Sequence, residues 1–404
     1  MRLCQIIVFT LVFWISAEAQ IGFNLGPNKH AILDFESTNH FIIMEVKFGN
    51  VLPLKFIFDT GSEHTLLFKK EYADLLGVQY DRKIPLMGSD MSQEIYGYIA
   101  RRVNLIISQT YKITTDILVL EEDYLKLEES TGVKIDGIIG ANVFKFFVLS
   151  VNNRKNKIRL DEAQRFKSPR KYSEIPVRIF RNKPYVDGTM TMGRDKLEVK
   201  LLLDTGAGLP ILLYTNTDEN LDLPAKTIRG TLGSGLGGHL EGYIGRVHHF
   251  EFGDYAFDNI LSSFQEVESD SITRQGMERN GLIGNSVLSR FNYVIDYPHQ
   301  KLYMRSRGRL KRKFKYDKSG IQLAAAGHQL KDFIVQRVLP DTPAEEEGVM
   351  KGDVIKRIEG IPVTFFTLTG INNILSSRNG RIVKLHIDRD GNRIKKKIKL
   401  RKII

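Results

Sequence analysis

The sequence predicts a mostly β protein: two similar β-rich lobes, followed by a small α+β domain. Three observations carry that expectation. The tripeptide Asp-Thr-Gly occurs twice, at 59–61 and 204–206, each time at the end of an apolar run. Other landmarks repeat at almost the same spacing. "DGIIG" (136–140) matches "NGLIG" (280–284), and "SVNNRKNKIRL" (150–160) matches "VIDYPHQKLYM" (294–304), both 144 positions apart against 145 for Asp-Thr-Gly. Such a period marks a duplicated unit. Finally, composition changes near the end. Residues 305–404 hold 24 Lys+Arg against 10 Asp+Glu, whereas the first 304 hold 35 against 37. The net charge of +12 therefore belongs to the tail.

Taken in order, residues 1–19 read as a secretory signal. Arg2 precedes an apolar run from Ile6 to Ile15, and Ala17-Glu18-Ala19 offers a small-x-small cleavage pattern that leaves Gln20 first. The only cysteine, Cys4, lies inside it, so the mature chain is expected to hold no disulfide and no thiol nucleophile. An exported chain without cysteine, and without an Asn-x-Ser/Thr acceptor, suits the periplasm or cell surface of a bacterium. The lobes are placed at 20–165 and 166–305. Each reads as short alternating apolar runs punctuated by Gly, Asn and Pro, with turns at Gly49-Asn50 and Gly193-Arg194. Short helices are expected at 69–76, 141–147 and 286–291. A basic linker, 306–319, leads to the last domain at 320–404. The basic tail favours contact with an anionic surface; no nucleic-acid-binding motif accompanies it.

The repeated Asp-Thr-Gly has a chemical logic. A carboxylate on a turn after a buried strand is rigidly held. Gly61 and Gly206 let backbone pass close by and turn amides toward it, and Thr60 and Thr205 can hydrogen-bond across the junction. An approximate two-fold then sets Asp59 against Asp204. Two carboxyl groups in one site share a proton, so one can take a proton from water while the other donates to a carbonyl. Ser62 follows one tripeptide and Ala207 the other. The Ser62 hydroxyl is expected to donate to Asp59, leaving the charge on Asp59 and the proton on Asp204.

The paired "FDTGS…DGIIG" and "LDTGA…NGLIG" resemble aspartic proteases, in particular bacterial retropepsin-like ones, over about 25–305. The resemblance implies a retropepsin- or pepsin-like β-barrel lobe per repeat, a peptide cleft between the lobes, and hairpin flaps above it. It makes Asp59 and Asp204 the catalytic pair, supported by Thr60, Gly61, Ser62, Thr205, Gly206 and Ala207. By position, the flaps fall at 87–97, with Gly88, Ser89 and Asp90, and at 229–242, with Gly235, Gly237 and Gly238. The formal GxGxxG at 233–238 lacks the strand–helix context of a dinucleotide site. His239, His248 and His249 lack ligand spacing, so no metal or cofactor is expected.

The tail pattern Pro340-x-x-Pro343-Ala344, Gly348-Val349, Gly352-Asp353-x-Ile355 and Ile358-x-Gly360 resembles a PDZ domain. That resemblance implies a peptide groove, expected between a strand near 333–338 and a helix beginning near Phe365, with a carboxylate-binding loop within 326–332. The whole reads as an exported, monomeric aspartic endopeptidase acting on peptides or unfolded proteins, its PDZ domain recruiting a substrate or partner peptide. The alternative is a catalytically inactive scaffold that binds peptides through the cleft and the PDZ domain.

Overall fold

The computed structural model describes Leu25 and residues 29–404, apart from 88–93, 194, 236–237, 268–277 and 309. The mostly β expectation holds. Two eight-stranded sheets share one strand permutation. The first runs Glu36–Thr38, Phe41–Phe48, Leu52–Phe58, Gly137–Ile139, Leu66–Leu67, Lys112–Leu120, Glu94–Ile106, Tyr80–Met87. The second runs Arg178–Phe180, Lys183–Met192, Asp195–Asp204, Gly281–Gly284, Ile211–Tyr214, Tyr255–Gln265, Gly238–Phe252, Ile228–Gly235.

At the centre of each sheet, the short apolar strand threads between the strand that ends in Asp-Thr-Gly and the one that follows it. Gly137–Ile139 runs parallel to Leu52–Phe58 and antiparallel to Leu66–Leu67. Gly281–Gly284 runs parallel to Asp195–Asp204 and antiparallel to Ile211–Tyr214. Space there excludes any side chain. A Cβ on Gly137 would lie 2.3 Å from the Leu66 carbonyl, and one on Gly281 1.9 Å from that of Leu212. The residue before each glycine caps the neighbouring strand: Lys55 N–H donates to Asp136 Oδ2 at 2.8 Å and Lys200 N–H to Asn280 Oδ1 at 2.9 Å. Asp or Asn at that position is therefore a backbone hydrogen-bond acceptor.

A third sheet joins the repeats. Its order is His30–Asp34, Lys157–Glu162, Phe147–Asn152, Phe291–Asp296, Lys301–Ser306, Ser173–Pro176. In its middle pair Ser150 lies opposite Val294. These are equivalent positions of the 144-residue repeat, so a local two-fold runs between them. Buried apolar residues of all three sheets form one main core, which includes Phe58, Phe144, Leu149, Leu203, Phe264 and Ile295.

The C-terminal sheet is ordered Ile321–Ala326, Asp332–Val338, Val354–Ile358, Ile382–Arg389, Asn392–Lys399, with Ile361–Pro362 beside Val354–Ile358. It has its own core around Phe333, Val335, Ile355, Ile371 and Leu385. Pro343 opens the helix Pro343–Glu346, and the Thr367 hydroxyl caps Leu368–Leu375 by accepting from Gly370 N–H at 3.1 Å. Asp390 and Gly391, both at positive φ, close the expected last hairpin. The stretch before this domain is docked rather than free. Phe314 is buried in the main core, with the Arg290 guanidinium 3.3 Å from its ring centroid.

The first expected helix forms as Lys70–Leu75. The other two are shorter than their sequences suggest. Ala141–Val143 is a single 3-10 turn and Asn285–Leu288 a single helical turn, because the buried Phe147 and Phe291 each begin a strand of the third sheet. Among the described residues no helix is long and apolar enough to cross a membrane.

Candidate active site

Each Asp-Thr-Gly begins where its strand leaves the sheet. Asp59 N–H still donates to Ile139 O at 3.0 Å, and Asp204 lies level with Gly284. The two threonines then cross. Thr60 N–H donates to Thr205 Oγ1 at 3.0 Å, and Thr205 N–H to Thr60 Oγ1 at 3.1 Å. The hydroxyls donate onward, Thr60 to Leu203 O at 2.7 Å and Thr205 to Phe58 O at 2.8 Å. Both side chains are fully buried, so every donor and acceptor of the crossing is satisfied from within.

The carboxyl groups meet above this crossing. Gly61 N–H donates to Asp59 Oδ1 at 2.6 Å and Ser62 N–H to the same oxygen at 3.2 Å, while Gly206 N–H donates to Asp204 Oδ1 at 2.8 Å. Each glycine also makes room for the opposite carboxyl. A Cβ on Gly61 would lie 2.6 Å from Asp204 Cγ, and one on Gly206 2.3 Å from Asp59 Cγ. The two carboxyls thus face each other and raise one another's proton affinity. With Ala207, which lines the same cavity as both carboxyls, the fold brings together all eight residues that the sequence placed here.

One detail differs from expectation. The Ser62 hydroxyl donates to His64 O at 2.7 Å, not to Asp59; only its backbone amide reaches the carboxylate. The expected charge on Asp59 thereby loses the hydroxyl that was to favour it. Burial and the Asp204 charge hold Asp59 well above the usual carboxylate range. Burial raises Asp204 too, but the hydrogen bond from Asp59 and the Arg279 guanidinium offset it. Both carboxyls are thus held above the usual range, and the pair shares one proton. Arg279 was not singled out from the sequence; its one signal is adjacency to Asn280-Gly281. Lys183 was missed as well. It lines the same cavity, and burial together with Arg279 pushes its ammonium pKa down.

A cavity of about 1360 Å³ opens over the carboxyl pair, lined by both sheets, by the 312–317 stretch and by the C-terminal domain. Of the expected flap residues, Gly88, Ser89, Asp90 and Gly237 lie outside the described residues. Gly235 and Gly238 pair at the end of the hairpin formed by Ile228–Gly235 and Gly238–Phe252. His239 lies second in that strand. His249 bridges Glu251 and Asp258 at 2.6 Å each, a surface ion pair. Among the described residues no three His, Asp or Glu side chains gather as metal ligands.

The C-terminal domain packs against this hairpin. Arg337 Nη1 donates to Glu241 Oε2 at 2.6 Å, and Glu241 also accepts from Thr231 Oγ1 at 2.8 Å. A Cβ on Gly230 would lie 3.3 Å from the Gln322 amide nitrogen. The domain also meets the first sheet's side of the cavity: a Cβ on Gly132, just after helix Leu127–Thr131, would lie 2.9 Å from Leu368 Cβ.

The expected peptide groove moves by one strand. Asp332–Val338 is paired on both sides, so it has no edge to offer, whereas Ile321–Ala326 is the edge strand. That strand and residues Thr369, Asn372 and Asn373 of the neighbouring helix line the cavity. The loop leading into the edge strand is 317–320, not 326–332. Its Ser319 and Gly320 amides donate to Asp317, at 2.9 and 2.6 Å, and burial pushes that carboxyl up to about 6.

Paired carboxyls, crossed threonines and supporting glycines in a β framework define a site of the aspartyl protease class. Comparison with known families agrees. Residues 186–287 match the aspartyl protease family model, and residues 314–400 match the PDZ domain model. The first match covers Asp204 but not Asp59. No curated protein matches the chain. The chain thus carries an aspartyl protease domain, of a class that hydrolyses peptide bonds, and a C-terminal PDZ domain.

The Arg337–Glu241 pair predicts mechanical coupling. Arg337→Ala should speed amide hydrogen exchange in 228–252 while exchange in Gly281–Gly284 stays slow; equal rates in parent and variant would show that the PDZ domain does not restrain the hairpin.

Proposed function

We propose that this chain is a two-lobed, retropepsin-like aspartic endopeptidase that works as a monomer, with Asp59 and Asp204 as its catalytic dyad. One observation carries the proposal: the crossed threonines hold two buried carboxyls face to face, each against the other's glycine, in a cavity large enough for a peptide. Both carboxyls come from one chain, which favours the monomer.

The mechanism follows from one proton shared by two carboxyls. Written with that proton on Asp59, Asp204 accepts a proton from a water held between the carboxyls. Asp59, protonated, donates to the carbonyl oxygen of the scissile amide. The water oxygen adds to the carbonyl carbon, giving a neutral gem-diol and leaving the pair with one proton, now on Asp204. That proton passes to the leaving nitrogen as the C–N bond breaks, and a diol hydroxyl proton returns to Asp59. No covalent enzyme intermediate forms. The alternative is an inactive peptide-binding scaffold, which has the same fold but no turnover.

Asp59→Asn and Asp204→Asn should each abolish cleavage of a diverse peptide mixture, followed by mass spectrometry. The parent should show a bell-shaped pH profile, losing activity as rising pH removes the proton the pair shares and as falling pH adds a second one. Stability gives an independent sign. Because the native Asp59 pKa lies above its unfolded value, the parent loses stability as pH rises from the unfolded toward the native pKa. Asp59→Asn should therefore melt higher than the parent at neutral pH and the same near pH 3. Retained cleavage by either Asn variant would remove the dyad reading.

The PDZ domain is proposed to recruit protein substrates through the groove beside Ile321–Ala326, by addition of a strand to that edge. Ile404 is buried in the main core, so point changes test this better than truncation. Asn372→Arg with Asn373→Arg should raise KM for unfolded protein substrates and leave short peptides unaffected; equal effects on both would contradict recruitment.

Export to a bacterial periplasm or cell surface is proposed from the 1–19 pattern. N-terminal sequencing of protein recovered after expression in an exporting host should begin at Gln20; a retained Met1 would contradict it.

A further inference from the structure

The site holds a charge that the proposed chemistry does not use. Lys183 is only 8% exposed, lines the same cavity as Asp204, and among the described residues its ammonium has neither a hydrogen bond nor an ion pair. A buried, unpaired ammonium is costly, and such groups are normally neutralised by a partner. The nearest carboxylates that act on it are Glu63 and Asp204, yet neither closes to ion-pair distance. Arg279, also lining the cavity, adds a second positive group on the same side.

The repeat shows that the fold does not demand a cation here. Lys183 is the first strand residue after a two-residue turn, Arg181-Asn182, with both residues at positive φ and Phe180 opposite Lys183. The first half builds the same turn from Asn39 and His40, and there the equivalent residue is Phe41, opposite Thr38. The facing residues follow suit. Phe41 lies over Gly208, whose Cβ would meet its ring at 3.2 Å. The equivalent of Gly208 is Glu63, 145 positions earlier, on the cavity wall facing Lys183. The two halves of the cleft therefore differ at this position: Phe41 meets Gly208 in one, and Lys183 and Glu63 take those places in the other.

We infer that Lys183 is the specificity-determining residue of one subsite of the cleft, and that this subsite takes a carboxylate of the substrate. The inference rests on the protease reading for its location beside the cleaved bond. A substrate carboxylate supplies the counter-charge that Lys183 lacks, and in a site shielded from water a charged hydrogen bond is worth more than at the surface. The carboxylate can belong to a Glu or Asp side chain or to a free chain end.

Matched synthetic peptides test this, differing only in Glu against Gln at each position flanking the cleaved bond, and made with free and amidated C-termini. The parent should cleave the better Glu peptide with kcat/KM at least about tenfold above its Gln twin. The ratio should fall toward one in Lys183→Met and survive in Lys183→Arg. A preference that tracks the free terminus instead, and is lost in Lys183→Met, places the same carboxylate at a chain end. Equal ratios in parent and Lys183→Met overturn the inference. If the parent cleaves nothing, binding of the same peptides, fluorescently labelled, still decides. Tighter binding of Glu peptides to the parent, lost in Lys183→Met, supports the subsite even though the protease reading fails. Equal binding overturns the subsite.

Discussion

The crossed hydrogen bonds of Thr60 and Thr205 are the constraint on which the site depends. Each hydroxyl accepts from the opposite amide and donates to a carbonyl behind it. This ties the ends of two core strands together at a point where both would otherwise expose unsatisfied backbone. It also fixes the separation of the residues on either side. With the threonines locked, Asp59 and Asp204 have no route apart, and each glycine becomes the wall of the other's pocket. The third sheet repeats the same two-fold lower down, where Ser150 meets Val294. The repeat thus sets two carboxyls face to face in a buried place, which neither could occupy alone as a charge without a large desolvation cost.

Function depends on how that symmetry is broken. The backbone treats the two carboxyls nearly alike, since each accepts amides from its own turn. The difference comes from residues that the repeat does not conserve. The Arg279 guanidinium acts on Asp204. Lys183 stands where the first half has Phe41. A symmetric scaffold therefore carries an asymmetric set of charges around the pair. The PDZ domain adds to the asymmetry, because it grips the hairpin of the second sheet through Arg337 and Glu241.

Much of this was legible in the sequence. The repeated tripeptide, the later apolar-apolar-Gly and their common offset identified the strands, the pairing and all eight residues around the carboxyls. What escaped did so for physical reasons. The Ser62 hydroxyl had two acceptors in reach, and only the turn geometry selects His64 O. "ANVFKFF" has helical spacing, but the third sheet claims Phe147 for a strand. The edge strand "IQLAAA" carries small residues and a weak β signal, whereas "FIVQRV" is strongly apolar, so the groove was assigned to the wrong neighbour. Small residues are needed there because Gly132 approaches Ala325 and Leu368 from the other side of the cavity. Lys183 and Arg279 read as ordinary surface charges. Their burial depends on contacts between distant segments that no local pattern encodes.

The central claim is that the carboxyl pair activates water. Cleavage of a peptide by the full-length protein in heavy-oxygen water tests it most directly, with products weighed by mass spectrometry. The account predicts one heavy oxygen in the new carboxyl group of the N-terminal product, formed by the parent and not by Asp59→Asn. Cleavage that persists in Asp59→Asn, or no cleavage by the parent across the acid-to-neutral range, would contradict it.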